Sequence, residues 1–81
     1  MQLSKIIAGL QVFERYYDKD GYHADAQHDV LHVYPTDKPL SDDDLKAVVE
    51  LGWLQEEADF ESAAENLRSE YRPDEGWYCF T

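Results

Sequence analysis

The sequence predicts an α+β fold in one domain spanning residues 1–81, with a small, largely antiparallel three-stranded sheet and two to three amphipathic helices. Three observations carry that expectation. Apolar residues recur at helical spacing in separate segments, β-branched and aromatic runs stand before Pro35 and at the C-terminus, and polar turn residues divide the two kinds of segment. There is no internal repeat, Gly/Ser linker or low-complexity run, so the elements are expected to share one core.

The first helix follows from Leu3, Ile6, Ile7, Leu10, Phe13 and Tyr17, which fall at i, i+3, i+4, i+7, i+10 and i+14. Ser4 is its expected N-cap, and Asp18, Lys19, Asp20 and Gly21 supply the turn that ends it. Gly9 lies inside this helix, where glycine costs about 1 kcal/mol relative to alanine; the position is expected to admit a closely packed strand. A strand is expected over residues 28–34, a run rich in β-branched and aromatic side chains between a polar turn and Pro35. Period two places Leu31 and Val33 on the face that meets the first helix and Val30, His32 and Tyr34 on the other.

Ser41 followed by Asp42, Asp43 and Asp44 predicts the capped start of a second helix, because a hydroxyl accepts an unpaired N–H there and the helix dipole favours negative charge. Leu45, Val48 and Val49 form its buried face, and Gly52 is a natural residue to end it. Trp53, Leu54 and Gln55 read as a short strand that pairs with the β-prone terminal run from Gly76 to Thr81, with Trp53 and Trp77 buried. Between them Phe60, Ala63, Ala64, Leu67 and Tyr71 fall at helical spacing ahead of Pro73, which predicts a third helix capped by Asp59.

Eighteen acidic against seven basic residues give a net charge of -11, which argues against direct binding to nucleic acid or an anionic membrane and makes a cationic partner the natural complement. The charge is uneven: residues 1–40 carry four basic and six acidic side chains, net -2, and residues 41–81 carry three basic and twelve acidic, net -9. Apolar stretches are a few residues long against the ~20 that span a bilayer, and no secretory core follows Met1, so the chain is expected to be soluble and cytosolic. A single cysteine, Cys79, excludes an intrachain disulfide.

Motifs for chemistry are weak. His23, His28 and His32 with Asp25 and Asp29 are the one metal-like cluster, but residues four apart on a strand lie about 13 Å apart, too far to share an ion. Aligning Gly21 with the turn glycine of a calcium loop puts Tyr16 and Gln27 at the first and last ligand positions, where neither serves. Phosphate-loop, nucleophile-elbow and zinc-protease motifs do not occur, and Cys79 between aromatics reads as packing material. No metal, cofactor or catalytic residue is therefore expected. The acids of the second half remain: Glu56, Glu57, Asp59, Glu61, Glu65, Glu70, Asp74 and Glu75 read either as a surface for a basic protein or as a solvated, solubilising face. The aromatic set Tyr16, Tyr17, Tyr22, Tyr34, Trp53, Tyr71, Trp77, Tyr78 and Phe80 is more than so small a core hides, so some are expected to border a contact surface or a homodimer interface.

In the run from Gln27 to Val33, in Lys38-Pro39-Leu40-Ser41, in Leu51-Gly52-Trp53-Leu54-Gln55 and in the closing Gly76 to Thr81, the chain resembles small acidic proteins of tailed bacteriophages and prophages, over about half its length. The resemblance implies a phage origin and no assigned activity. It also suggests a non-catalytic inhibitor that imitates nucleic acid in charge and occupies a basic host protein, such as a CRISPR or restriction component, in the bacterial cytoplasm. The alternative is a self-associating structural or accessory phage protein; a small metal-dependent enzyme ranks third.

Overall fold

The computed structural model describes every residue except Met1, Lys19, Asp20, Tyr22 and Ala64. The elements are α1 (Leu3–Glu14), β1 (Ala24–Gln27), β2 (Val30–Val33), α2 (Asp42–Glu50), a single 3-10 turn (Leu67–Ser69) and β3 (Trp77–Phe80). The strands form one antiparallel sheet in the order β1-β2-β3. The fold is α+β, as the hydrophobic periodicities predict.

Register explains which face is buried. Ala24 lies opposite Val33 and Val33 opposite Trp77, while Ala26 lies opposite Leu31 and Leu31 opposite Cys79, so these residues share one face. Val33, Trp77 and Cys79 are buried there with Phe13 of α1 and Leu45 and Val48 of α2. Asp25, His32 and Tyr78 form a row on the opposite face, followed by Gln27, Val30 and Phe80. Burial raises the Cys79 thiol above its ordinary pKa, which keeps it a neutral packing group.

Four expectations need correction. The strand expected over 28–34 is shorter, and the segment before it, read as a polar turn, is β1; His28 and Asp29 connect the two strands. Alanines carry little β signal, so the alternation of Ala24 and Ala26 with Asp25 and Gln27 becomes legible only against a paired strand. His28 adopts φ 53°, and the turn is tied to the C-terminus by the Thr81 N–H, which donates to the Asp29 carbonyl at 2.7 Å.

Helix α1 begins one residue before Ser4, with Gln2 in the N-cap position and no side-chain cap, and it ends at Glu14 rather than Tyr17. Its last turn tightens through the Tyr16 N–H donating to Phe13 O at 2.9 Å, because Tyr16 and Tyr17 reach other elements. Tyr17 donates to the Tyr34 carbonyl and stacks on His23, with centroids 3.9 Å apart. Burial, helped by the Asp37 charge, pushes its hydroxyl up to about 12, so it stays a donor at neutral pH. The turn expected at Asp18 to Gly21 includes Lys19 and Asp20, which lie outside the described residues.

The strand expected at residues 53–55 is a single bridge, in which Leu54 and Tyr78 exchange N–H to carbonyl bonds of 2.8 Å. It sits beside β3 as expected. Gly9 does admit a close neighbour, but that neighbour is the buried Trp53 indole rather than a strand backbone.

The fourth correction is the largest. Residues 60–71 are not a helix but a series of turns ending in the 3-10 turn; Ala64 lies outside the described residues. Phe60 and Tyr71 both lie against the Trp77 ring, with centroids 5.4 and 6.0 Å away. On a straight helix eleven residues advance about 16 Å, which is too far for both to stack on one indole. Local polar groups also compete with the helix, since the Ser69 hydroxyl donates to Asn66 O at 2.7 Å and the Ser62 N–H donates to Asp59 Oδ1 at 3.1 Å. Asp59 therefore caps a turn, and the Ser62 hydroxyl and N–H hold its carboxyl below the ordinary range.

Helix α2 matches its expected start. Ser41 Oγ accepts from the Asp44 N–H at 3.2 Å, and the Tyr16 hydroxyl accepts from the Ser41 N–H at 3.1 Å while donating to the Asp44 carboxylate. That tyrosine above all, with Arg15 and Ser41, holds Asp44 below the ordinary carboxyl range. Gly52 follows the helix at φ 102°. Ser41→Ala is expected to cost about 1 kcal/mol with the fold retained; an unchanged denaturation midpoint would remove the cap from the account.

Candidate protein-binding surface

Residues 56–75 contain eight acidic and two basic side chains. The described ones lack regular structure apart from the 3-10 turn, yet three anchors fix them. Phe60 and Tyr71 enter the core on either side of the sequence loop, and the Tyr71 hydroxyl accepts from the Leu40 N–H at 3.0 Å. Gln55, the one buried polar side chain among the described residues, acts as an internal clip: Nε2 donates to Arg72 O at 2.8 Å and Glu75 O at 3.2 Å, and Oε1 accepts from the Arg72 N–H at 2.9 Å. A buried amide with all these partners fixes the returning chain without leaving a group unpaired.

Arg68 is the third anchor. Its Nε donates to Asp42 Oδ1 at 2.8 Å, its Nη2 donates to Leu40 O at 2.8 Å, and its guanidinium carbon lies 5.2 Å from the Tyr71 ring centroid. Its charge is thereby committed to α2 and offsets little of the acidity presented outward.

The structure divides the eight sequence-predicted acids. Asp59, Glu65 and Glu70 border an open basin of about 750 Å³ together with Ser62, Asn66 and Ser69. Within it the Glu70 carboxylate accepts from the Asp59 N–H at 2.9 Å, so Glu70 also supports the loop. Glu56, Asp74 and Glu75 border a second groove of about 430 Å³, where β1 and β2 contribute Asp25 and His32. Glu57 and Glu61 are exposed and lie in neither. Glu56, Glu57, Asp59, Glu61, Glu65 and Asp74 are exposed, and Glu70 and Glu75 are half-buried. Gly76 shapes the second groove, because a Cβ there would overlap the Val33 carbonyl oxygen.

Asp25 and His32 are the residues that reading for a binding surface missed. Their signal was the alternation through Ala24, Asp25, Ala26 and Gln27, which puts Asp25 beside His32 once the hairpin forms. The three histidines stand apart in role: His23 stacks on Tyr17, His28 occupies the turn and His32 lies on β2. Among the described residues no group of three His, Cys, Asp or Glu side chains is arranged to hold a metal ion, and no helix is long and apolar enough to cross a membrane. No protein-family model, curated protein sequence or solved structure matches the chain.

Proposed function

We propose that this chain is a non-catalytic acidic protein-binding module of phage origin. It binds a basic, nucleic-acid-binding host protein, of the kind found in CRISPR or restriction systems, by presenting carboxylates where that protein expects phosphates. The observation that carries this reading is the 56–75 segment, in which core aromatics and Gln55 fix an otherwise irregular chain while Glu56, Glu57, Asp59, Glu61, Glu65 and Asp74 are exposed. A flexible acidic tail serves solubility equally well, whereas fixed spacing matters only to a structured partner.

The test is to capture basic host proteins on the immobilised chain, purify the tightest binder and measure its affinity at low and high salt. Binding is expected to weaken on the order of tenfold or more as salt rises and to be displaced by DNA or RNA. Replacing Glu61 and Glu65 with lysine should lower affinity strongly, whereas Glu14→Lys with Glu50→Lys, which changes net charge equally, should have a smaller effect. Equal losses in the two doubles, or binding indifferent to salt, would count against charge mimicry.

A second reading, self-association as a structural or accessory phage protein, is favoured by the exposure of Leu3 (70%), Ile7 (45%) and Phe80 (57%). Sedimentation across a concentration series separates it from the first.

A further inference from the structure

Helix α1 buries only part of its apolar surface. Gly9 and Phe13 are in the core, whereas Leu3 is 70% and Ile7 45% exposed, and these two share one line with Leu10 and Glu14 at i, i+4, i+7 and i+11. That line runs into an apolar pocket of about 170 Å³, lined by Leu10, Phe13 and Glu14 of α1, by Tyr17 just beyond it, and by Ala24 and Val33 of the sheet. An apolar cavity of roughly 150 Å³ already admits a benzene-sized group. One helix stripe therefore carries an exposed leucine at one end and a pocket able to take an aliphatic side chain at the other.

We infer that this stripe pairs with a second copy of the chain, the two α1 helices lying antiparallel about a two-fold axis so that Leu3 of each enters the pocket of the other. The inference rests on the self-association reading and names its surface. Spacing is the first reason: residues 3 and 14, like residues 7 and 10, are symmetric about one midpoint, so a two-fold axis there sets Leu3 against the pocket end of the other stripe and Ile7 against its Leu10. Such a contact is isologous and closes at two copies. The helix ends are the second reason. No side chain caps the start of α1, its first turn holds no acid, and its last turn holds Glu14 and no cation, the opposite of what the helix dipole favours. An antiparallel copy brings each Glu14 to the other's uncapped start and offsets both. Charge is the third: the stripe and pocket come from residues 1–40, net -2, and no residue of 56–75 lines the pocket, so two copies meet here with the least repulsion. A basic partner finds more negative charge on the 56–75 segment, and a small apolar ligand would leave Leu3 and Ile7 exposed.

The experiment is sedimentation equilibrium of the full chain over a concentration series, with backbone amide shifts of the isotopically labelled protein followed in parallel. A reversible dimer is expected, with shifts at Leu3, Ile7, Leu10 and Ala24. Leu3→Ser with Ile7→Ser, at exposed positions outside the core, should weaken dimerisation by about tenfold or more and leave circular dichroism unchanged. Phe80→Ser, on the opposite face of the sheet, should leave dimerisation as it is. Mild oxidation checks the geometry: Leu3→Cys with Glu14→Cys should give a disulfide-linked dimer, whereas Leu3→Cys alone, whose two copies stand about 16 Å apart along the helices, should not. The native Cys79 is buried and does not compete. Dimerisation lost in Phe80→Ser but kept in the Leu3 and Ile7 double variant would overturn this surface and leave self-association standing. Linking by Leu3→Cys alone as readily as by the pair would overturn the antiparallel arrangement. A monomer at every concentration would overturn the surface and the self-association reading together, and α1 shifts that then appear only on adding the isolated basic binder would make that protein the occupant.

Discussion

Trp77→Ala is expected to cost about 3–5 kcal/mol, against a total of roughly 4–12 kcal/mol for a domain of this length. Trp77 is 2% exposed and touches three separate parts of the chain: Phe13 of α1 at 5.5 Å, Phe60 at 5.4 Å and Tyr71 at 6.0 Å between ring centroids. Alanine would remove the surface on which the 56–75 segment is anchored at both ends, as well as leaving a cavity. Urea denaturation followed by circular dichroism should show a large fall in midpoint, and limited proteolysis should cut residues 56–75 before the helices. Phe80→Ala, on the open face three residues later and 57% exposed, should shift stability by no more than about 0.5 kcal/mol. Comparable losses in the two variants would remove Trp77 from the centre of the core.

Gly9→Ala should be the most damaging small substitution. A Cβ at this position would overlap Nε1 of Trp53 and lie 2.5 Å from Cε2, and the indole has no room to retreat because it is fully buried and packed edge-on against Phe13 at 5.1 Å. Alanine gains about 1 kcal/mol of helix propensity, but overpacking a rigid neighbour costs about 1–3 kcal/mol or more. Because the neighbour is rigid, the upper part of that cost applies, and a net loss of about 1–2 kcal/mol is expected. The control is Gly21→Ala, where the nearest atom, His23 Cε1, is 3.8 Å away, an ordinary contact. A second variant makes the mechanism specific. Trp53→Phe shrinks the obstructing ring and removes a buried N–H that has no hydrogen-bond partner among the described residues, so in that background Gly9→Ala should lose much of its cost. Additive effects in the double mutant would show that the damage arises elsewhere.

These two positions also show why the candidate site was only half legible. The acids of residues 56–75 are visible as composition, and their exposure follows because charged side chains avoid a core unless paired. Their arrangement is not visible. The spacing of Phe60, Leu67 and Tyr71 fits a helix that would have lined Glu61 and Glu65 along one side, whereas the Trp77 ring draws Phe60 and Tyr71 together and turns the segment into an anchored loop. Asp25 and His32 belong to the groove only through the β1-β2 pairing.

What the sequence determined by itself is therefore local. Helix α1 follows from its apolar stripe, and the start and end of α2 follow from Ser41, the three aspartates and Gly52, because these signals act between residues a turn apart. The β2 and β3 runs follow from side chains that suit a pleated, half-buried surface. Only the tertiary structure decided that Ala24–Gln27 is a strand, that Gly9 makes room for Trp53 and that residues 60–71 are not helical. Each of these depends on a partner distant in sequence. A hydrogen-bond ladder, an indole face or a ring stack of that kind contributes more than the weak intrinsic preference of the segment it captures.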